Sequence, residues 1–142
     1  MAATVTVVAT VFGSLVLIAP AAQAAGKPWG TIYTRTSAGN AAAAHGDFAN
    51  NGNVYATVGA NWTDLRSGDG KAYVKVEFFF YKNQKWESAG SSESAHTSTS
   101  ASGPLSRRLR VDASAARAAI KVCIESIFVD PCSPEAILSF NY

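Results

Sequence analysis

In the segment AYVKVEFFFYK, Ala72–Lys82, apolar side chains recur at every second residue. Successive side chains of a β-strand point to opposite faces, so alternate residues share a face. One face is entirely apolar and is predicted to be buried: Ala72, Val74, Val76, Phe78 and Phe80. The opposite face mixes Lys75 and Glu77 with three aromatic residues and is predicted to meet solvent. We therefore expect a central, half-buried strand.

Similar short segments with turn signals between them lie on both sides of this strand. They are residues 29–37, 41–48, 54–62, 105–111, 118–126 and 136–142, with a partner strand beginning at 85–87. Asn51-Gly52, Asp69-Gly70 and Asn83-Gln84 supply the turns. This spacing fits a β-sandwich or a small barrel. We predict an all-β protein, a small antiparallel β-sandwich of about seven strands and of immunoglobulin-like size.

Residues 88–103 differ from the rest, because they are mostly Ser, Thr, Ala and Gly without a large apolar side chain. Such a segment cannot bury a face, so we expect a mobile loop or a poorly packed edge. Pro104 is expected to end it.

Residues 1–24 are predicted to be a signal peptide. Residues 5–20 are apolar, no charge precedes Lys27, and Ala22-Gln23-Ala24 places small residues at the cleavage site before Ala25. The segment lacks the usual basic start, and a retained membrane anchor is the alternative. We expect a secreted, extracellular protein in which residues 25–142 form one domain and no membrane contact remains after cleavage.

Charge and cysteine content narrow the classes of function. The net charge of +2 is too small to indicate a nucleic acid or an anionic membrane as partner. Cys123 and Cys132 are the only cysteines, and in an exported protein such a pair is expected to form a disulfide. A reactive thiol or a metal site is the alternative, but two thiolates without a nearby His supply only half a zinc site.

Catalytic signatures are missing from the sequence. His45 and His96 are the only histidines, and the acidic residues are spread singly. No Gly-x-Ser-x-Gly elbow, phosphate loop or EF-hand loop occurs. We expect no cofactor, no metal and no enzymatic activity, with a hydrolase that uses dispersed carboxylates as the alternative.

Two features favour binding to another protein. The first is the row of aromatic residues on the polar face of the central strand, namely Tyr73, Phe79 and Tyr81. Outward aromatic side chains suit a partner-binding patch, unless a neighbouring loop or the Ala-rich segment covers them.

The second feature is the segment 25–35, which combines an unstructured start with large and basic side chains. The candidate contacts are Lys27, Trp29, Ile32, Tyr33 and Arg35. Such an arm can pair with the sheet edge of a partner or enter a cleft. The alternative is that it forms the first strand of the domain's own sheet.

Several short motifs carry a family resemblance. They are Gly46-Asp47-Phe48, Asn51-Gly52-Asn53, Asp69-Gly70-Lys71-Ala72, Val122-Cys123 and Asp130-Pro131-Cys132-Ser133. With the Ala-rich composition, the chain resembles small secreted β-sandwich proteins of actinobacteria. Some of these are adaptor subunits of umbrella-shaped toxin particles of Streptomyces, where the adaptor joins two larger subunits. The resemblance implies other secreted proteins as partners, with segment 25–35 as a candidate contact.

The function predicted from the sequence is therefore that of a secreted, non-catalytic adaptor. A small secreted protease inhibitor is the alternative, because the loop between the cysteines offers residues 127–131 as an exposed, rigid segment.

Overall fold

The computed structural model describes residues 26–142, which form eight β-strands and no helix. The strands are β1 (Lys27–Thr36), β2 (Gly39–Asn51), β3 (Tyr55–Asp64), β4 (Ala72–Lys82), β5 (Lys85–Glu93), β6 (Ser100–Arg108), β7 (Ala115–Ile124) and β8 (Ala136–Asn141). Over this range nothing resembles a membrane-crossing helix. The predicted signal peptide, residues 1–24, lies outside the described residues.

The strands form two antiparallel four-stranded sheets. Sheet A has the order β1-β2-β3-β6, and sheet B has the order β5-β4-β7-β8. Their inner faces share one hydrophobic core, so the prediction of an all-β sandwich is confirmed. The alternation in β4 is confirmed as well, since Val74, Val76 and Phe78 are completely buried in this core.

β1 is an integral part of sheet A. It pairs with β2 along its whole length, from Lys27 opposite Phe48 to Thr36 opposite Gly39. The Thr34 side chain is buried, and its Oγ1 donates a hydrogen bond to the carbonyl of Val122 in sheet B. Of the two alternatives for this segment, the first strand of the domain's own sheet is therefore the correct one.

Residues 88–103 lie mostly in two edge strands. β5 continues to Glu93 and β6 begins at Ser100, so only residues 94–99 form a connection. None of residues 88–103 is buried, as expected for a poorly packed edge. Ladder hydrogen bonds use the backbone and need no large side chain, which explains why small residues form strands here. Pro104 lies within β6 instead of ending the segment, because an edge strand tolerates its missing N–H.

The connections lie at two ends of the sandwich. One end, called the disulfide end, contains the bonded pair Cys123 and Cys132. There the Glu125 amide donates a hydrogen bond to the Lys71 carbonyl, and Ala72 forms an isolated β-bridge with Thr97. At the opposite end, called the hairpin end, Asn83 and Gln84 join β4 to β5, and both have positive φ angles of 48° and 62°. Positive φ at both central residues matches the strand twist in a two-residue hairpin.

Candidate functional site

The segment between the two cysteines, residues 124–131, is called the disulfide loop. Its ends are joined by the Cys123–Cys132 bond, which confirms the predicted pairing. Backbone hydrogen bonds reinforce this closure: the Ile124 amide donates to the Pro131 carbonyl at 3.0 Å, and the Ser133 amide donates to the Val122 carbonyl at 2.9 Å. The base of the loop is therefore tied to β7.

Asp130 fixes the loop internally and to sheet B. Its Oδ1 accepts from the Ser126 amide at 2.8 Å, and its Oδ2 accepts from the Tyr73 hydroxyl at 2.7 Å. The hydrogen bond from Tyr73, followed by that from Ser126, lowers the pKa of the Asp130 carboxyl. Burial, and next the bond to Asp130, raises the pKa of Tyr73 above its ordinary value.

The prediction that Tyr73 faces solvent is wrong. Only 4% of this residue is exposed, because the disulfide loop covers one side and the His96 ring stacks on it at 4.3 Å between centroids. Tyr73 therefore anchors the loop and is not available as a partner contact. Of the alternatives for the aromatic row, cover by a neighbouring loop holds for this residue.

The tip of the disulfide loop consists of three consecutive apolar residues in solvent. Ile127 is 90% exposed, Phe128 88% and Val129 82%. Monomeric soluble proteins seldom expose contiguous apolar surface without a binding role. The tip is therefore the most conspicuous candidate contact of the described chain.

We expect acid to weaken the attachment of this loop. A carboxyl with a lowered pKa stabilises the fold fully above its unfolded-state pKa of about 3.9, and this contribution is lost as the pH falls through the folded-state pKa. Asp130→Asn should therefore reduce the difference in unfolding free energy between pH 7 and pH 3, measured by urea denaturation. The pKa of Asp112 is also lowered, and this residue is unchanged in the variant. Asp112 therefore contributes the same loss of unfolding free energy in acid to the wild type and to Asp130→Asn. Equal pH dependence of wild type and variant would contradict this role.

No family model, no curated protein and no solved structure matches this chain. The resemblance to adaptor proteins stays a prediction from the quoted motifs. Function is therefore inferred from the geometry of residues 26–142.

The candidate contacts of β1 are divided between the core and the surface. Trp29 is 8% exposed and belongs to the core. Ile32 is partly buried and packs against this core. Lys27 is exposed, and its Nζ donates to the Ser139 carbonyl at 2.8 Å. Tyr33 and Arg35 are exposed.

A shallow groove of about 580 Å³ runs between β1 and the chain after the disulfide loop. It is lined by Thr31, Ile32, Tyr33, Arg35, Cys132, Pro134 and Glu135.

Phe79 and Tyr81 remain on the outer face of sheet B, where each is half-buried. Tyr81 lies opposite Trp86 of β5, with 5.2 Å between ring centroids. The Arg117 guanidinium lies 3.9 Å from the centroid of the Trp86 ring. Neither Trp86 nor Arg117 was predicted as a contact, although a two-residue turn at Asn83-Gln84 places Trp86 opposite Tyr81.

Neither histidine belongs to a metal-binding group within the described part of the chain. There, no cluster of three or more His, Cys, Asp or Glu side chains is placed to hold a metal ion. His96 stacks on Tyr73, and its Nδ1 lies 3.6 Å from the Glu125 carboxylate. His45 is exposed on the outer face of sheet A.

Proposed function

We propose that this chain is a secreted, non-catalytic protein-binding module that contacts its partner through the tip of the disulfide loop. The observation that carries the proposal is the exposure of Ile127, Phe128 and Val129 on a loop with a fixed base. Burying an apolar side chain of this size on a partner stabilises a complex by about 1.5–3 kcal/mol. The disulfide is consistent with an extracellular location.

The fixed base of the loop supports strong binding. Association has to overcome the entropy of ordering flexible segments, and a segment that is already held in one conformation reduces this loss. The disulfide and the Asp130 contacts hold both flanks of the tip before a partner arrives. The tip therefore resembles a preorganised anchor.

The flanking charges favour a protein groove over a lipid surface. Glu125 precedes the tip with about half of its side chain exposed, and Asp130 follows it with a lowered pKa that keeps the carboxylate ionised. Like charges oppose approach to the anionic headgroups of a membrane. An apolar groove with basic side chains at its rim would complement both the tip and its flanks.

An adaptor also needs a second contact surface. The groove beside β1 offers one, since it combines the exposed Tyr33 and Arg35 with the apolar Ile32. In this proposal, the partner contact that was predicted for residues 25–35 is made by the exposed surface of β1, which stays paired in sheet A. The link to a toxin complex rests on the resemblance of the sequence motifs alone.

Phe128→Ser should abolish partner capture without lowering the melting temperature, because Phe128 is 88% exposed and its truncation removes little packing. Tagged wild-type protein would be used to capture partners from the culture supernatant of the producing organism, followed by mass spectrometry. An apolar anchor contributes about 2 kcal/mol or more, which corresponds to at least a tenfold loss of affinity.

The matched control is Val111→Ser, which removes another fully exposed apolar side chain at the hairpin end. We expect this variant to capture the same partner as the wild type. Recovery of the wild-type protein only as a free monomer across growth conditions would contradict the proposal. Equal capture by Phe128→Ser and wild type would contradict the role of the tip.

Protease inhibition is the second candidate function, because an inhibitory loop must be exposed and held at both ends. Residues 127–131 meet this requirement through the disulfide and the Asp130 contacts. Inhibition assays against trypsin-, subtilisin- and metallo-type proteases distinguish the two candidates. Absence of inhibition across the three classes would remove this one.

The hydrolase alternative gains no comparable support. An acid catalyst needs a carboxyl with a raised pKa. The two carboxyl groups with displaced pKa values, Asp112 and Asp130, both have them lowered, and they lie at opposite ends of the sandwich. Both carboxyl groups are therefore ionised near neutral pH and have no proton to donate.

A further inference from the structure

A second recessed surface lies at the hairpin end of sheet B, on its outer face. One row of paired residues crosses all four strands there: Trp86, Tyr81, Ala115 and Asn141. A depression of about 520 Å³ follows this row and also includes Ser114. Neighbouring strands are about 4.8 Å apart, so the row is about 14 Å long. The small side chain of Ala115 leaves space between the rings of Trp86 and Tyr81, called the aromatic wall, and the side-chain amide of Asn141.

The aromatic wall is held in place by a cation. The Arg117 guanidinium lies over the Trp86 ring at 3.9 Å, and the Tyr81 ring is tilted by 56° against Trp86. An aromatic ring attracts a cation through its negative face, and Arg117 already occupies such a position. A cationic ligand would therefore be repelled by Arg117.

The charged side chains around the depression other than Arg117 pair with one another. Lys82 and Arg110 both contact Asp112, and Glu87 lies 3.6 Å from both Lys85 and Arg110. No carboxylate or ammonium group in this set is left to hold an ionic ligand. Apart from Arg117, whose guanidinium lies on the Trp86 ring, no charge among these residues is left for an ionic ligand, so the surroundings favour a neutral ligand that combines an apolar face with hydrogen-bonding groups.

We propose that this row binds a neutral saccharide chain. The ring of a pyranose has a face of C–H groups, which suits stacking on amphipathic aromatic side chains such as Trp86 and Tyr81. Its hydroxyl groups can both donate and accept hydrogen bonds, as can the Asn141 amide and the Ser114 hydroxyl. Binding sites commonly combine aromatic walls with a few polar groups in this way. The site is separate from the disulfide loop and does not depend on its role.

The proposal is tested with the full secreted protein by titration calorimetry with cellohexaose, chitohexaose and xylohexaose. Tryptophan fluorescence supplies a second readout, because Trp29 and Trp62 are buried and a ligand-induced change reports on Trp86. We expect at least one saccharide to bind and to change the fluorescence. Trp86→Ala and Asn141→Ala should each weaken binding at least tenfold, whereas Phe128→Ser should leave it unchanged.

The Asn141→Ala variant keeps the test decisive if Trp86→Ala fails to fold, since Asn141 is an exposed residue at the end of β8. Lack of binding to all three saccharides would overturn the proposal. Saccharide binding that is unaffected by Asn141→Ala and does not change tryptophan fluorescence would also overturn it. Binding of choline or a proline-rich peptide at Trp86 in place of the saccharides would assign the row to a different ligand class.

Discussion

Removal of residues 25–35 should unfold this protein. The deletion takes away nearly all of β1, exposes the edge of β2, and removes Trp29 from the core. It also leaves the buried Val122 carbonyl without the hydroxyl of Thr34. Truncating one buried large aromatic residue costs about 3–5 kcal/mol. Together with the lost strand pairing, this is a large share of the about 5–15 kcal/mol by which a domain is stable.

Thermal melting followed by circular dichroism measures the effect. The matched control is the double substitution Tyr33→Ala and Arg35→Ala, which keeps the strand and removes only exposed side chains. We expect the control to melt close to the wild type and the truncated protein to show no cooperative transition. A truncated protein with an unchanged melt would show that β1 is a detachable arm, and only then could a loss of partner binding be assigned to it.

Phe78→Ala should destabilise the protein more than any other single substitution proposed for it. The Phe78 side chain is completely buried between the sheets, so its truncation leaves a cavity and costs about 3–5 kcal/mol. Phe79→Ala changes the same residue type at the next position on the outer face, where the side chain is half-buried. Its expected cost is nearer 1 kcal/mol, typical of an ordinary substitution.

Urea unfolding at pH 7 gives both free energies on one scale. The ratio between them tests the period of two on which the fold prediction depends. Equal losses for the two variants would mean that both faces of β4 are buried to the same degree. A larger loss for Phe79→Ala would reverse the assignment of the faces.

The local patterns of the sequence predict most of the fold. The alternation in β4 and the Asn83-Gln84 turn depend only on neighbouring residues, and both agree with the structure. A strand was predicted to begin at residues 85–87, but its continuation to Glu93 was not, because the Ser-rich second half of β5 lacks the apolar signal that marks a strand. Small side chains are sufficient at an edge, where backbone pairing on one side holds the strand.

The surface features depend on contacts between distant parts of the chain. Tyr73 was predicted to face solvent because the alternation of β4 says nothing about what covers its outer face. Its cover comes from Asp130, 57 residues further along the chain. Similarly, the row of Trp86 and Asn141 exists only because sheet B places β5, β4, β7 and β8 in this order. Spacing along the sequence does not predict such an order.

The disulfide at the base of the loop makes the fold independent of the side chains of Ile127, Phe128 and Val129. Both ends of the loop are closed covalently, and the three tip residues contribute nothing to core packing. Their identities can therefore change without disturbing the scaffold that presents them. If the tip is the partner contact that we propose, a library randomised at residues 127–129 should yield folded proteins that differ in the partners they bind.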